Sequence, residues 1–435
     1  MSCENPWRSP DFRTLFTATV LSQLGTNAGY VAVPLIAVST LDASPGQVGL
    51  LATLSTAAFL LVGLPAGAWV DRMRQRRLLI AADLTRAVLF ASVPVASALG
   101  VLSLGQLFVV VLLAGCATVF FDVGSQSVLP QLVGRDGLIR ANSAVVTLQA
   151  AGNVTGRGAG GALVQLLTAP TAVAGTAVLH LASALRLIGI RHDPLPGPGP
   201  RAGQRPVRLS TQIAEGLRHV LGSSELRALA FSASLTNLGS QIINTLLPVL
   251  FARELGLPAG ALGLYWAVGG VGMFLGARCA APWARRWGYG HALGLAGLLV
   301  APAALVIPLV DRGPWLWLAG AGWLLATLRT GVNNVLGVTL RQRLTPGPLL
   351  GRMNATFRFM LTGALAVGSA VAGLLGEFVG VRMALWTGAC CLALSFLPVV
   401  LSPVRTRREL PAQAVVRTAV ATAEGRADGR GAPGR

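Results

Sequence analysis

Within long apolar stretches of this sequence stand a few side chains able to carry a proton or hold a polar ligand. Asp122 is the one acid read as lying well inside such a stretch, with Gln126 one helical turn further on. A carboxyl group withdrawn from water can trade a proton near neutral pH, which would make Asp122 a proton carrier; a structural pairing with an arginine is the competing reading. Gln23, Asn27 and Tyr30 are spaced to share one helix face, and Asn237, Gln241 and Asn244 repeat that spacing later in the chain. Such faces either contact a ligand or bond neighbouring helices together. Arg157 and Arg329 stay charged at any relevant pH, so they would hold an anionic ligand group or a carboxylate; Asn333 and Asn334 lie one turn beyond Arg329. His180 could relay a proton or act as a hydrogen-bonded packing residue. Asp83 and Arg86, three residues apart near the end of another stretch, read as an interfacial ion pair. The five cysteines show neither metal-ligand spacing nor a disulfide framework, and no His, Cys or acidic cluster suggests an enzyme. No catalytic residue, metal or cofactor is expected.

The elements that must position these groups follow from hydropathy. Of 435 residues, 53% are hydrophobic and 12% charged, and mean hydropathy is +0.64, which excludes a water-soluble globule with a charged coat. A bilayer core needs about 20 apolar residues per helix. Twelve segments meet that need: 13–40, 46–70, 78–100, 104–128, 141–168, 171–190, 226–252, 258–281, 289–310, 314–340, 355–378 and 380–402. The first is too long for the apolar part of a signal peptide and is expected to be retained.

The formal charge of +19 comes from 35 basic residues, every one an arginine, gathered in clusters between the apolar runs. That pattern fits loops facing an anionic bilayer surface and argues against nucleic acid as a partner. Alternate connections carry 23 arginines on one side and only Arg253, Arg312 and Arg382 on the other. The positive-inside rule then puts both termini in the cytoplasm. Absence of lysine beside abundant Ala, Gly and Arg suggests a GC-rich bacterial genome, so the expected location is the bacterial cytoplasmic membrane.

The chain also repeats itself. At an offset of 214, Leu24-Gly25 meets Leu238-Gly239, Pro34 meets Pro248, Gly49-Leu50 meets Gly263-Leu264 and Trp69 meets Trp283. At an offset of 212, Arg140, Asn142, Gly156 and Gly161 meet Arg352, Asn354, Gly368 and Gly373. A duplicated six-helix unit keeps its orientation, so the copies are parallel repeats about an axis along the membrane normal. The expected fold is an all-α membrane protein of twelve transmembrane helices in two six-helix pseudo-symmetric bundles. Residues 1–192 form the first bundle and 223–404 the second. Between them, 193–222 is a cytoplasmic linker with an amphipathic helix near 209–221, and 405–435 is a disordered tail.

Two motifs add to this. After the second span comes Gly67-Ala68-Trp69-Val70-Asp71-Arg72-Met73-Arg74-Gln75-Arg76-Arg77, which resembles the signature loop of the major facilitator superfamily. Arg74 replaces the usual glycine, and the matching stretch Ala281-Pro282-Trp283-Ala284-Arg285-Arg286 lacks the acid. The fifth span carries Gly152, Gly156, Arg157, Gly160 and Gly161, which is similar to a glycine-rich element of the superfamily's drug and proton antiporters, with Arg157 where that family has proline. Small residues at this spacing allow close packing and bending. Ala81 to Ala87, Phe120-Phe121-Asp122 with Leu129-Pro130, and Leu349 to Ala355 resemble the branch containing macrolide and enterobactin exporters.

The resemblance implies a secondary transporter that exports a small amphipathic or hydrophobic compound, a drug, macrolide, siderophore or other natural product, by proton antiport with alternating access. In this superfamily spans one, four, seven and ten line the cavity. Gln23, Asn27, Tyr30, Gln126, Asn237, Gln241, Asn244, Arg329 and Asn333 are therefore candidate substrate contacts, and Asp122 the proton-coupling residue. Gly67, Asp71, Arg72, Arg76, Gly152, Gly156, Arg157 and Gly160 are candidates for conformational gating. Partners would be a small molecule, protons and the bilayer, with the chain a monomer. A proton-coupled importer on the same scaffold and a non-transporting membrane sensor are the alternatives. ATP-driven pumping is disfavoured, because no phosphate-binding loop of the Gly-x-x-x-x-Gly-Lys type can exist without lysine.

Overall fold

The structure, a computed structural model, describes residues 6–70, 73–190, 209–346 and 349–408, nearly all of them helical. The first helix, α1 (Pro10–Ser39), starts at Ser9, whose Oγ accepts a hydrogen bond from Phe12 N at 3.3 Å, with Pro10 in the first turn where its missing N–H is harmless. It is followed by α2 (Pro45–Val70), α3 (Gln75–Ala98), α4 (Leu104–Leu166) and α5 (Ala169–Ile188). A short helix, α6 (Leu209–Gly222), precedes α7 (Ser224–Val249), α8 (Ala259–Trp287), α9 (Tyr289–Ala304) and α10 (Pro314–Leu344). Last come α11 (Leu350–Phe378), α12 (Val381–Leu394) and the single turn α13 (Leu397–Val400).

Two segments expected as spans four and five form one helical run, α4, of 63 residues. Straight, it would measure about 95 Å, three bilayer cores end to end. Instead Ser125, Gln126, Leu129 and Val145 all line one groove against Phe12, Leu15, Phe16 and Thr19 of α1. A stretch of α1 only two turns long cannot meet both Ser125 and Val145 unless α4 doubles back between Leu129 and Val145. The two limbs are thus separate crossings, and each half holds six. Among the described residues nine helical segments are long and apolar enough to cross a membrane on composition alone. The second limb of α4, α9 with its continuing turn Ile307–Leu309, and the arginine-bearing α10 complete the twelve-helix major facilitator fold.

In the first half α1 packs on α4 and α5, and α3 on both; in the second α7 packs on α11 and α12, and α10 on α8 and α9. The halves meet through α2 with α11 and α4 with α8. These two crossings obey the internal repeat. A Cβ on Gly373 would lie 3.0 Å from Gly49 Cα, and one on Gly263 2.9 Å from Gly161 Cα, so only glycine allows the backbones this close. Next to the first pair, Glu377 Oε2 accepts from Gly46 N at 2.8 Å; next to the second, Gln165 Oε1 accepts from Gly260 N at 3.0 Å. Arg253 adds bonds to Asp42 Oδ1 at 2.9 Å and Ala43 O at 3.0 Å. The hydrogen bonds described between the halves all lie at this end, the face with few arginines.

Outside the bundles, α6 rests on α11, where Glu215 pairs with Arg352. Residues 191–208 lie outside the described residues. Residues 405–408, expected within the tail, are packed: Gly290 N donates to Arg407 O at 2.8 Å, and Arg407 grips both carboxylate oxygens of Glu225 at 2.6 and 3.1 Å; residues 409–435 lie outside the described residues. A cavity of about 410 Å³ at the arginine-poor face, walled by Leu35, Val164, Phe251 and Leu262, contains none of the candidate residues.

Replacing Gly161 by valine should wedge this crossing, since even a Cβ there would lie 2.7 Å from Gly263 Cα. Overpacking of this kind costs about 1–3 kcal/mol. Cysteines introduced at Gln165 and Gly260 should join through a short thiol cross-linker in the parent and fail to join once Gly161→Val is added. Undiminished cross-linking would mean the glycine contact does not set the closed face.

Candidate substrate and proton site

The first polar face, on α1, lies against the second limb of α4. Asn27 Nδ2 donates back to Gln23 O at 2.9 Å, which turns the amide along the helix. Gly152 and Gly156 lie directly over Gln23 and Asn27, and Gly160 over Ala28; a Cβ on Gly156 would come within 2.7 Å of Asn27 Cβ. The glycine stripe thus lets α4 lie on the amides of α1 instead of being held off by them.

One turn further along, the Arg157 guanidinium sits 4.5 Å above the Tyr30 ring. Tyr30 in turn packs against Trp266 of α8, with centroids 5.4 Å apart, and Trp266 Nε1 donates to Asn244 Oδ1 of α7 at 2.8 Å. The sequence Arg157, Tyr30, Trp266, Asn244 crosses α4, α1, α8 and α7 and so joins the two halves. On α7, Asn237 and Asn244 donate to Ala233 O and Ser240 O at 2.9 and 2.7 Å, while Gln241 Nε2 reaches Ser369 Oγ of α11 at 2.9 Å. The described link between the two faces runs from Tyr30 through Trp266 to Asn244, while Gln23 and Asn27 lie against α4 and Gln241 bonds α11.

Three candidates stand elsewhere. Arg329 was expected beside Asn333 as a ligand contact, but its Nη1 donates to Leu392 O of α12 at 3.2 Å and to Oγ of Ser395, just past the end of α12, at 2.5 Å, which holds the charge inside the second half. Asn333 stays half-buried one turn away, while Asn334 and Gln126 are exposed, Gln126 in the groove beside Phe16 and Thr19. Of the loop motif, Gly67 lies in α2, and Asp71 and Arg72 fall outside the described residues; Arg76 Nη2 donates to Ile188 O at the end of α5 at 2.5 Å. A cation on a helix C-terminus is favourable there.

Asp122 is half-buried on the first limb of α4, and the cations whose charge reaches it are Arg86 of α3 and Arg358 of α11. It is not the one acid deep in a span. Asp83 and Arg86, expected at the interface, are 0% and 1% exposed and pair in the middle of the first half. Ser183 Oγ donates to Asp83 Oδ2 at 2.5 Å, Ser22 Oγ to Oδ1 at 3.3 Å, and His180 Nδ1 lies 3.3 Å from Oδ1. Arg86 also donates to Ser22 Oγ at 2.9 Å and rests 4.6 Å above the Phe121 ring. His180 is fully buried, stacked on Phe90 at 5.7 Å, and its Nε2 has no hydrogen-bond partner among the described residues. Trp266 and Arg358 were not singled out from the sequence. A tryptophan in an apolar run carries no polarity signal, and Arg358, eight residues into α11, reads as an end anchor. No group of His, Cys, Asp and Glu among the described residues could hold a metal ion.

Since removing one member of a buried ion pair strands the other, Asp83→Asn should destabilise the first half by about 3–5 kcal/mol. Asp83→Asn combined with Arg86→Met should recover part of that loss. Thermal unfolding in detergent measures both, and additive losses would show that the two groups are not coupled.

Comparison with known proteins agrees with this architecture. The profile of a family described as transmembrane secretion effector matches residues 1–424. The chain is similar to the enterobactin exporter EntS of Salmonella choleraesuis (strain SC-B67), 28% identical over 379 residues, 85% of this chain and 86% of that one. EntS of Escherichia coli O1:K1 / APEC is 27% identical over 380 residues with the same coverage. Among solved structures, a bacterial homologue of the iron transporter ferroportin in the inward-facing state superposes with a TM-score of 0.70 at 18% identity, covering 91% of this chain and 99% of that one. The nucleoside transporter NupG gives 0.72 at 13% identity over 90% and 99%. At these identities the structural likeness speaks for the fold.

Proposed function

This chain belongs to the transmembrane secretion effector family of the major facilitator superfamily, a multi-pass membrane transporter, and we propose that it exports a small amphipathic or hydrophobic compound in exchange for protons. The carrying observation is where the halves close among the described residues: both glycine crossings and their caps lie at the arginine-poor face, beyond the two amide faces. With the arginine-rich face and both termini in the cytoplasm of a bacterial cell, that closure is on the outside, the state in which an exporter takes up its cargo. Residues 1–192 and 223–404 are the two rocking halves of a monomer, joined by the linker 193–222.

In this reading Gln23, Asn27, Tyr30, Asn237, Gln241, Asn244 and Asn333 contact the substrate. Gly152, Gly156 and Gly160 allow α4 to shift along α1, and Gly67, Asp71, Arg72 and Arg76 act at the cytoplasmic hinge. Asp122 carries the proton. Ionised, it attracts Arg358 of the opposite half; protonated, it releases that arginine and loosens one half from the other. The names of the exporters this chain resembles support the outward direction.

Energised everted vesicles containing the protein, challenged with macrolides, dyes and siderophores, provide the test. A substrate-triggered collapse of the proton gradient, absent from empty vesicles, is expected. Asp122→Asn should abolish that proton movement while leaving substrate affinity within about threefold, since half a unit of log K is under 1 kcal/mol. Full proton movement in Asp122→Asn would remove Asp122 from the role. Substrate binding by folded protein without any flux would favour a sensor.

A further inference from the structure

The arginines carried by the bundle helices away from the loops differ in how their charge is met. Arg86 has Asp83, and Arg329 is held by the Leu392 carbonyl and Ser395. Arg157 and Arg358 have neither arrangement. Each lies over one aromatic ring, Arg157 over Tyr30 at 4.5 Å and Arg358 over Phe59 of α2 at 4.4 Å. Among the described residues neither makes an ion pair within contact distance, and Arg157 Nε is buried with no hydrogen-bond partner. An aromatic face orients a guanidinium without using its N–H donors, which point outward from the ring edge and remain available.

Their places in the fold make a path. Arg358 is eight residues from the start of α11 at the arginine-rich end, and it is exposed although it touches the opposite half and its charge reaches Asp122. It therefore faces the space between the halves. Arg157 is eight residues short of Gln165, which caps α8 at the closed end. Each arginine is thus about 12 Å inside its own end, Arg358 nearer the arginine-rich side and Arg157 below the glycine crossing. Asp122 is the acid within reach of this path, and its charge is shared with Arg86. Once Asp122 carries a proton, no described carboxylate offsets Arg157 or Arg358.

Resting on the transporter reading above, we infer that the substrate is an acidic amphipathic molecule: its carboxylate or sulfonate is drawn in at Arg358 and held at Arg157, with its apolar body against Phe59, Tyr30 and Trp266. Arginine suits this because it stays charged and offers paired donors to an oxyanion. A cation of the same shape would instead meet two guanidinium groups with nothing to offset them.

Fluorescein and rhodamine 123 share a tricyclic aromatic body and carry opposite charge, so they isolate the charge term. Fluorescence polarisation with the full-length protein in detergent should show fluorescein binding at least tenfold more tightly than rhodamine 123. Arg157→Gln and Arg358→Gln should each weaken fluorescein at least tenfold and leave rhodamine 123 unchanged or tighter. Arg157→Lys, which keeps the charge, should recover part of the loss, and a single symmetric peak in size exclusion identifies variants that fold. Equal or tighter rhodamine binding, no fluorescein binding by folded parent protein, or fluorescein affinity unchanged in both Gln variants would overturn the inference. The same dyes in energised vesicles separate it from the transport reading. Arginine-dependent fluorescein binding without flux would defeat transport and leave the anion site standing. Proton exchange driven by cationic compounds alone would do the reverse.

Discussion

Backbone contact between glycines governs where the two halves of this molecule can touch. In a bilayer the lipid tails are as apolar as leucine, so helices gain little by merely burying apolar surface against one another; association depends on how closely they fit. Gly49 against Gly373 and Gly161 against Gly263 give the closest backbone approaches described between the halves. Everything else at that end depends on it. Glu377 and Gln165 reach the first turns of α2 and α8 only because the helices beneath them are already in contact. The two crossings are copies of one another, and they differ in one group: a carboxylate caps one and a neutral amide the other.

The same duplication was handled differently inside each half. Asp83 of the first half corresponds by the repeat to Gly297 of the second, and Ser183 to Ser395. In the first half the carboxylate fills the space between α1, α3 and α5 and is answered by Arg86 from its own helix. In the second, Phe396 packs directly on Gly297, where a Cβ would lie 2.2 Å from Phe396 Cβ, and Arg329 from α10 lies beside it, with Nε 3.5 Å from that position. Both halves thus keep one arginine at matching depth, one neutralised by an acid and one by neutral acceptors. The second costs more to maintain, since a guanidinium away from water is best met by a full negative charge.

Most of the fold was legible because bilayer thickness sets helix length, and the arginine clusters and the repeat set their order. The fold-back of α4 shows the limit: hydropathy located both crossings, yet nothing in Val133 to Asn142 announced that helical geometry would continue through the turn. For the site, spacing was enough to match Gln23, Asn27 and Tyr30 with Asn237, Gln241 and Asn244, since side chains four apart share a face in any helix. Spacing could not show that Asp83 is buried. Its partners Ser22, His180 and Ser183 lie on two other helices, and a serine in an apolar run does not stand out. Arg329 failed for a related reason: its register places it toward the amides, but a long side chain can turn its charge to a neighbouring helix.

The contact between Tyr30 and Trp266 joins the proposed binding face to the glycine crossing. Trp266 lies one turn beyond Gly263 on α8, and Arg157 one turn before Gly161 on α4, so each aromatic or cationic group is carried by the same helix as a sealing glycine. Separating Gly161 from Gly263 must therefore draw Arg157 away from Trp266 and leave Tyr30 to stay with one or the other. The packed series from Arg157 to Asn244 cannot survive that movement. A ligand that uses groups from both halves gains its contacts only while the arginine-poor face is shut, and loses them as that face opens. In the export cycle proposed above, affinity then falls on the side where release occurs, with no separate mechanism needed to expel the ligand.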